Sequence, residues 1–442
     1  MVAPLSQASN NSSGMSGYTS SCGDDASTSA YVGTQQLALL PGCSSSGMGE
    51  IQRSTGTTGF GGSASYTLSP DVDIHSEIHY TYSLPPAGGS QTWCPMVGLK
   101  LIKDVTIKVG TSVWETIDQA SMLAMAQLEM TTAEYDLWVN GLNGLDNIPS
   151  GQGAEPAVGV MGGKLMCCVK GGYRGQLFVA AMPYQSITVK INFSSAMSCT
   201  VNEAPGATAT DFDFTLYTKQ HILSPYERGL LQSTDILQLL GTTQHYSVPI
   251  PGGILAGTAI QPIDLSIFND YCTHVAVWVN NNATGTHLGG VGANVLGEET
   301  GIGGGHAVML DKCQFVYNGT SAQGQQRAPT LMYSSMLGLA GGGLTRRHDL
   351  VMSSTATLTH NPRVLLFQIA NTPCVTSLSK GESQFAPFAG GDGIANNRYD
   401  VIQFKANLLY DSTVSGTDPY VIHFVAFGAQ SVLYSGGGAV KN

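Results

Sequence analysis

Residues 186–193 read Ser-Ile-Thr-Val-Lys-Ile-Asn-Phe, so Ile187, Val189, Ile191 and Phe193 alternate with Thr188, Lys190 and Asn192. A period of two places the four apolar side chains on one face of an extended strand, the pattern of a half-buried antiparallel sheet. The alternation recurs on both sides. Ser76, Ile78, Tyr80, Tyr82 and Leu84 share one face of a strand that ends at Pro85-Pro86. Val105, Ile107 and Val109 alternate with Thr106 and Lys108, and Phe212, Phe214 and Leu216 repeat the pattern. Further along, strands are predicted over 263–268, 274–279, 307–317, 364–370, 401–410 and 421–434. Gly-rich stretches such as Gly301–Gly305 and Gly338–Gly343 separate them as loops.

Three Ser/Thr-x-x-Glu signatures interrupt this β pattern. Ser112-Val-Trp-Glu115 and Thr131-Thr-Ala-Glu134 each predict a short helix, with Asn140-Gly141 as a stop. Ser224-Pro-Tyr-Glu227 predicts a third at mid-chain, with Pro225 at the first helical position. The two halves are similar in length, and each is a series of short strands with a helical insertion. That predicts an all-β chain of two tandem eight-stranded sandwiches joined by a capped helix. The first fifty-odd residues are rich in Gly, Ser, Asn and Thr, with one apolar patch at Leu37–Leu40, and read as an extended arm. The expected organisation is an arm over 1–57, a first jelly roll over 58–222 and a second over 223–442.

Composition narrows the function. Only 11% of the 442 residues are charged, less than half the usual ~25%. No apolar run reaches the roughly 18–20 residues of a spanning helix. A chain of this size that avoids charge reads as a component of an assembly. The net charge of -11 and the lack of a Lys/Arg run argue against direct nucleic-acid binding. Met1–Ser20 has neither a basic n-region nor an apolar h-region, so no signal peptide is expected. Nine cysteines without C-x-x-C spacing predict reduced, mostly buried thiols, and adjacent Cys167 and Cys168 do not form a zinc pattern.

Several motifs in chain order resemble the double jelly-roll major capsid proteins of large eukaryotic DNA viruses, such as those infecting algae and the iridoviruses. Tyr66-Thr-Leu-Ser-Pro, Asp73 and the strand ending Leu84-Pro85 resemble the opening strand pair of that family. Val97-Gly-Leu-Lys-Leu-Ile-Lys-Asp-Val-Thr-Ile-Lys-Val-Gly110 is similar to its G-x-x-L-I-x-x-V-x-x-x-I-G segment, after which the family has a helix. Phe178–Tyr184 running into Ser186–Phe193 resembles an apolar strand, a turn and V-K-I-N. In the second half, Thr273–Asn282, Val308–Gly319 with Arg327 and Tyr333 following, and Val425–Gly438 are similar to the family's later strands and Ser-Gly tail. Two features depart from the pattern. Leu165–Gly172 (LMCCVKGG) stands where the family has an aromatic-rich strand, and a longer polar arm replaces its N-terminal Gly-Ala-Gln-Asp motif.

The remaining chemistry is sparse. His75-Ser-Glu-Ile-His79 lacks the zincin order; in a strand, His75, Glu77 and His79 share the face opposite Ile78 and Tyr80, a solvated or contact face. Gly290-Val-Gly292 and Gly303–Gly305 open no helix after a parallel strand, and neither a P-loop nor a G-x-S-x-G elbow occurs. Arg346-Arg347-His348-Asp349 reads as a charged loop corner or an inter-subunit salt bridge. Sequons stand at Asn10, Asn11, Asn192, Asn282 and Asn318, the one at Asn192 inside a strand. No catalytic, cofactor-binding or metal-ligating residue is assigned, and no cofactor is expected.

The resemblance implies a non-enzymatic capsid protein. Three chains would present six similar rolls as a pseudo-hexagonal capsomer of an icosahedral shell, with loops such as Asn280–Gly305 outward and the arm inward. Its partners would be other copies of itself, minor capsid proteins and a membrane beneath the shell, without nucleic acid or small-molecule substrate. Its place would be the virion, after synthesis in host cytoplasm. The alternatives are a minor capsid or penton component, or a secreted two-domain jelly-roll hydrolase or carbohydrate-binding protein. The last of these would call for a signal peptide, paired cysteines and exposed Trp or acidic clusters.

Overall fold

The structure is a computed structural model. It describes residues 29–32, 35–38, 45–85, 92–93, 97–130, 134, 137–138, 141, 161–169, 176–201, 212–250, 254–255, 257–265, 267–268, 271–281, 310–317, 320–321, 365–368, 402–408 and 420–441.

The first half contributes β1 (Ser29–Val32), β2 (Gln35–Ala38), β3 (Ser45–Ile51), β4 (Arg53–Gly56), β5 (Ser63–Thr67), β6 (Ile74–Ser83) and β7 (Thr92–Trp93). These are followed by β8 (Ile102–Val109), β9 (Ser112–Asp118), β10 (Met161–Lys164), β11 (Leu177–Phe178), β12 (Ile187–Phe193), β13 (Thr200–Val201) and β14 (Asp213–Ile222). One sheet runs β10-β6-β14-β3, with β11 continuing the β10 position along β6; the other runs β4-β5-β12-β8-β9. Only Gln52 separates β3 from β4, so one extended segment switches from the first sheet to the second. Counting β3–β4 and β10–β11 as one strand each leaves eight strands among the described residues, in two antiparallel sheets.

The alternating residues meet between these sheets. Ile187, Val189, Ile191 and Phe193 are buried, as are Tyr80, Tyr82, Phe214 and Leu216 from the other sheet. Phe193 packs edge-on against Phe214 at 5.1 Å, and Tyr80 stacks on Phe214 at 5.3 Å. Rings of this size in edge and stacked contact fill the space between sheets ~10 Å apart.

The second half contributes β15 (Ile236–Ile250), β16 (Ile263–Asp264), β17 (Tyr271–Asn281), β18 (Leu310–Tyr317), β19 (Thr320–Ser321), β20 (Leu365–Gln368), β21 (Ile402–Leu408), β22 (Tyr420–Ser435) and β23 (Gly438–Lys441). A seven-stranded sheet runs β2-β1-β15-β22-β17-β20, with β23 also on β22, and a four-stranded sheet runs β16-β21-β18-β19. Phe404 of β21 meets Phe424 of β22 edge-on at 5.1 Å, and Tyr246 of β15 stacks on Phe424 at 6.4 Å. Every strand pair is antiparallel, as an all-β sandwich fold requires.

Three expectations are corrected. Ser112-Val-Trp-Glu115 does not start a helix: Ser112–Asp118 is β9, the outer strand of a hairpin with β8. Gly110, at φ +58, makes the tight turn before it. The helix begins instead at Gln119, capped by Asp118, whose side chain accepts from the Ser121 amide at 2.9 Å, and runs to Glu129. The end of the arm also moves. Ser45–Ile51 pairs with β14 over seven register positions, and Arg53–Gly56 pairs with β5, so residues 45–56 belong to the sheets. Glu134, Leu137, Trp138 and Gly141 are helical, Gly141 against its predicted role as a stop. β15 is a strand that no predicted span covers, although it has 15 residues and pairs with β22 along its whole length.

Candidate functional site

Among the residues singled out by sequence, His75 is placed differently from expectation. A register shift between Lys219 and Gln220 of β14 reverses the alternation of β6, so both Ser76 and His75 are buried. His75 Nε2 lies 3.1 Å from the Ser69 carbonyl and Nδ1 3.2 Å from the Thr218 hydroxyl. Burial, and secondarily the charge of His221, pushes the His75 pKa down to about 4. Glu77 and His79 do share a half-buried face. Glu77 lies 2.9 Å from Lys164 Nζ and 3.2 Å from His79 Nε2. Burial would raise the Glu77 carboxyl, but these two partners outweigh it and hold it at about 2. The two histidines of the motif therefore serve separate structural roles.

Among the described residues, Cys167, Cys168, Cys199 and Cys313 are buried and form no disulfide. Burial, and then the Glu115 carboxylate, pushes the Cys168 thiol up. Asn192 sits within β12, its side chain donating to Asp104 Oδ1 at 2.6 Å. Asn10, Asn11, Asn282, Asn318, Arg346–Asp349 and the Gly-x-Gly pieces lie outside the described residues. Among the described residues, no three His, Cys, Asp or Glu are grouped to hold a metal ion, and no helix is long and apolar enough to cross a membrane.

The polar chemistry concentrates where the two halves meet. The linker helix Pro225–Ser233 starts with the predicted capping box: Glu227 N donates to Ser224 Oγ at 3.3 Å, and Ser224 N donates to Glu227 Oε2 at 3.1 Å. One turn in, Arg228 reaches back to buried Asp73, Nε at 2.7 Å from Oδ1 and Nη2 at 2.9 Å from Oδ2. Asp73 Oδ2 also accepts from Leu223 N at 2.7 Å. The carboxylate thus ties the last residue before the helix cap and the helix itself to the first sandwich. Its charge raises the Arg228 pKa further.

Further contacts cross the seam to β15, β22 and β23. Buried Glu115 accepts from the Cys168 amide and from Thr243 Oγ1 at 3.3 Å. Gln238 donates to the Gln176 carbonyl at 2.9 Å and accepts from Tyr434 at 2.8 Å, whose ring meets Phe178 edge-on at 5.4 Å. Ala439 N donates to Gln185 at 2.8 Å, and Lys441 donates to the Trp114 carbonyl. Asp118 lies 2.7 Å from His245 Nδ1, and His245 Nε2 lies 3.0 Å from His423 Nδ1. Glu115, Gln176, Gln238 and Tyr434 are buried, so their hydrogen bonds favour one arrangement of the parts they join.

On the exposed surface of the same sheet, Leu237, Leu433 and Val440 stand in direct cross-strand register at 39%, 36% and 60% exposure. None of these seam or surface positions carried a local sequence signal apart from the Ser224 box, because each contact joins residues far apart in the chain.

No protein-family model matches the chain, and no curated protein matches it in sequence. The fold is nonetheless shared with solved structures. The PBCV-1 protein VP54, fitted into a cryo-EM reconstruction of the virophage Sputnik, matches with a TM-score of 0.65 at 14% identity, over 90% of this chain and 96% of that one. The PBCV-1 virus capsid in its quasi-atomic description matches with a TM-score of 0.66 at 14% identity and the same coverage. The Faustovirus major capsid protein matches with a TM-score of 0.52 at 9% identity, over 88% and 90%. The chain has the all-β double jelly-roll fold of these capsid proteins.

Proposed function

We propose that this chain is the major capsid protein of an icosahedral DNA virus and acts by self-assembly, without catalysing a reaction. The observation that carries the reading is the shared fold with the PBCV-1 capsid protein along nearly the full length of both chains. The boundary between the rolls falls at residues 222–223, where β14 ends and the capped linker begins.

In this reading three chains close around an axis and present six sandwiches as a pseudo-hexagonal unit. Closed symmetry repeats every lateral contact, so individually modest interfaces suffice. A charge content of 11% favours such repetition, because opposed like charges across repeated contacts would add unfavourably. The hydrogen-bonded seam supports the same reading, since a tile must keep a fixed angle between its two rolls. Minor capsid proteins, and a membrane beneath the shell, are the partners proposed for the inner face, where residues 1–44 would lie. Synthesis would take place in host cytoplasm.

Electron microscopy of the purified protein tests this. Hexagonal outlines in negative stain are expected; a field of single two-lobed particles at all concentrations would refute the proposal.

A further inference from the structure

Asp118, His245 and His423 come from three elements on both sides of the seam. Asp118 ends β9 and caps the helix Gln119–Glu129 in the first half. His245 and His423 belong to β15 and β22, where Ser247 is the direct partner of His423 and His245 its diagonal neighbour. The two rings stack at 5.2 Å with an interplanar angle of 17°.

Proton counting gives the arrangement its meaning. His245 Nδ1 faces a carboxylate oxygen, so it carries hydrogen. The 3.0 Å contact between His245 Nε2 and His423 Nδ1 is a hydrogen bond only if one proton lies between the two nitrogens. With both rings neutral, His423 donates and His245 accepts. With one added proton, His245 becomes the cation between Asp118 and a neutral His423, and the contact survives. A second added proton puts hydrogen on both facing nitrogens and stacks two cations. Hydrogen bond and electrostatics then both oppose the contact.

We propose that Asp118, His245 and His423 form an acid-operated latch: the ring pair holds at most one added proton while the seam is closed, and a second proton opens it. The surrounding groups agree. From the first half Asp118 faces the pair; Asp104 stands across from Asp118 in register on β8 but bonds Asn192, and Glu115 on β9 bonds Thr243. On the strands of the second half, the flanking positions are Gln244 and Tyr246 on β15, and Trp278 stands in register with His423 on β17. Burial, and then the charge of His245, pushes the His423 pKa down to about 4, against the pull of Asp118. For Asp118, burial acts upward but the hydrogen bond and charge of His245 and the Ser121 contact outweigh it, holding the carboxyl at about 2.

The sign follows. A histidine depressed from 6.5 to about 4 binds fewer protons in the closed state than in the open one, so closure weakens as pH falls from about 6.5 to 4. The carboxylate adds its own loss only below its ordinary range.

Hydrogen–deuterium exchange of the full chain, corrected for intrinsic rates, reads this directly. In the unmodified protein, amides of residues 115–121 and 242–248 should lose about tenfold more protection between pH 6.5 and 4 than those of β5 and β12. His423→Gln keeps a hydrogen-bonding group but cannot take the second proton, and should retain seam protection to pH 4. His245→Gln removes the second ring but leaves His423 buried, and should reduce the acid loss without abolishing it, so a folding defect in one variant leaves the other. An acid loss undiminished in both variants, no loss in the unmodified protein, or a loss of equal size in β12 would overturn the latch.

Discussion

The guanidinium of Arg228 closes on the carboxylate of Asp73 at 2.7 and 2.9 Å, joining residues 155 positions apart and fastening the linker helix to the first sandwich. Asp73 is buried, and the partly exposed Arg228 covers it. Asp73→Ala should therefore cost about 2–4 kcal/mol, because the Leu223 amide loses its acceptor and the guanidinium its partner. Arg228→Ala should cost less, about 1–3 kcal/mol, since Asp73 keeps the Leu223 hydrogen bond. In urea unfolding the double variant should lose less than the sum of the two single losses, because either change alone already breaks the pair.

The capping box makes a smaller claim. Ser224→Ala combined with Glu227→Ala removes both reciprocal hydrogen bonds and should lower stability by about 1–2 kcal/mol. If the linker helix sets the angle between rolls, assembly should fall while circular dichroism at 25 °C stays unchanged. Unchanged assembly would make the box incidental to orientation.

Truncation separates arm from sandwich. Deleting residues 1–44 removes β1 and β2, which touch β15 through the single register pair Tyr31 and Leu237, and should leave a folded, soluble chain. Deleting 1–57 also strips β3 from β14 and β4 from β5, baring two strand edges, and should cause aggregation. Size-exclusion chromatography of the two truncations distinguishes them; equal solubility would contradict the assigned pairing.

His75 predicts acid sensitivity in the first sandwich. Its pKa, lowered to about 4 by burial, means that the unfolded chain binds more protons between pH 6.5 and 4. Stability should fall through that interval by on the order of 3 kcal/mol and flatten below it. Urea midpoints at pH 7, 5.5 and 4.5 should show this slope, and His75→Gln should reduce it.

At Gly162 a Cβ would stand 2.3 Å from the Tyr80 carbonyl oxygen on β6. Gly162→Ala should push β10 away from β6, weaken the Lys164–Glu77 contact and cost about 1–3 kcal/mol, measured by thermal unfolding.

The strands with clean alternation, β6, β8, β12 and β14, were legible because one face meets the core and the other does not. The linker cap was legible because Ser, Pro and Glu act within four residues. β15 was hidden: Ile236-Leu-Gln-Leu-Leu240 mixes apolar residues on both faces, and Gly241 and Pro249 look like breakers, yet pairing with β22 overrides these preferences. Ser112-Val-Trp-Glu115 failed because Glu115 turns inward to the Cys168 amide and Thr243 instead of back to a cap. His75 failed because one bulge reverses face parity. The seam could not be read at all, since Asp118, His245 and His423 meet only through tertiary structure.

Sedimentation velocity of the purified chain at micromolar concentration tests the central claim most directly. Self-assembly into a six-sided unit from two rolls per chain requires threefold closure, so the predicted result is a dominant species of three chain masses. Monomer alone, across the full concentration range and in a folded chain, would contradict the account.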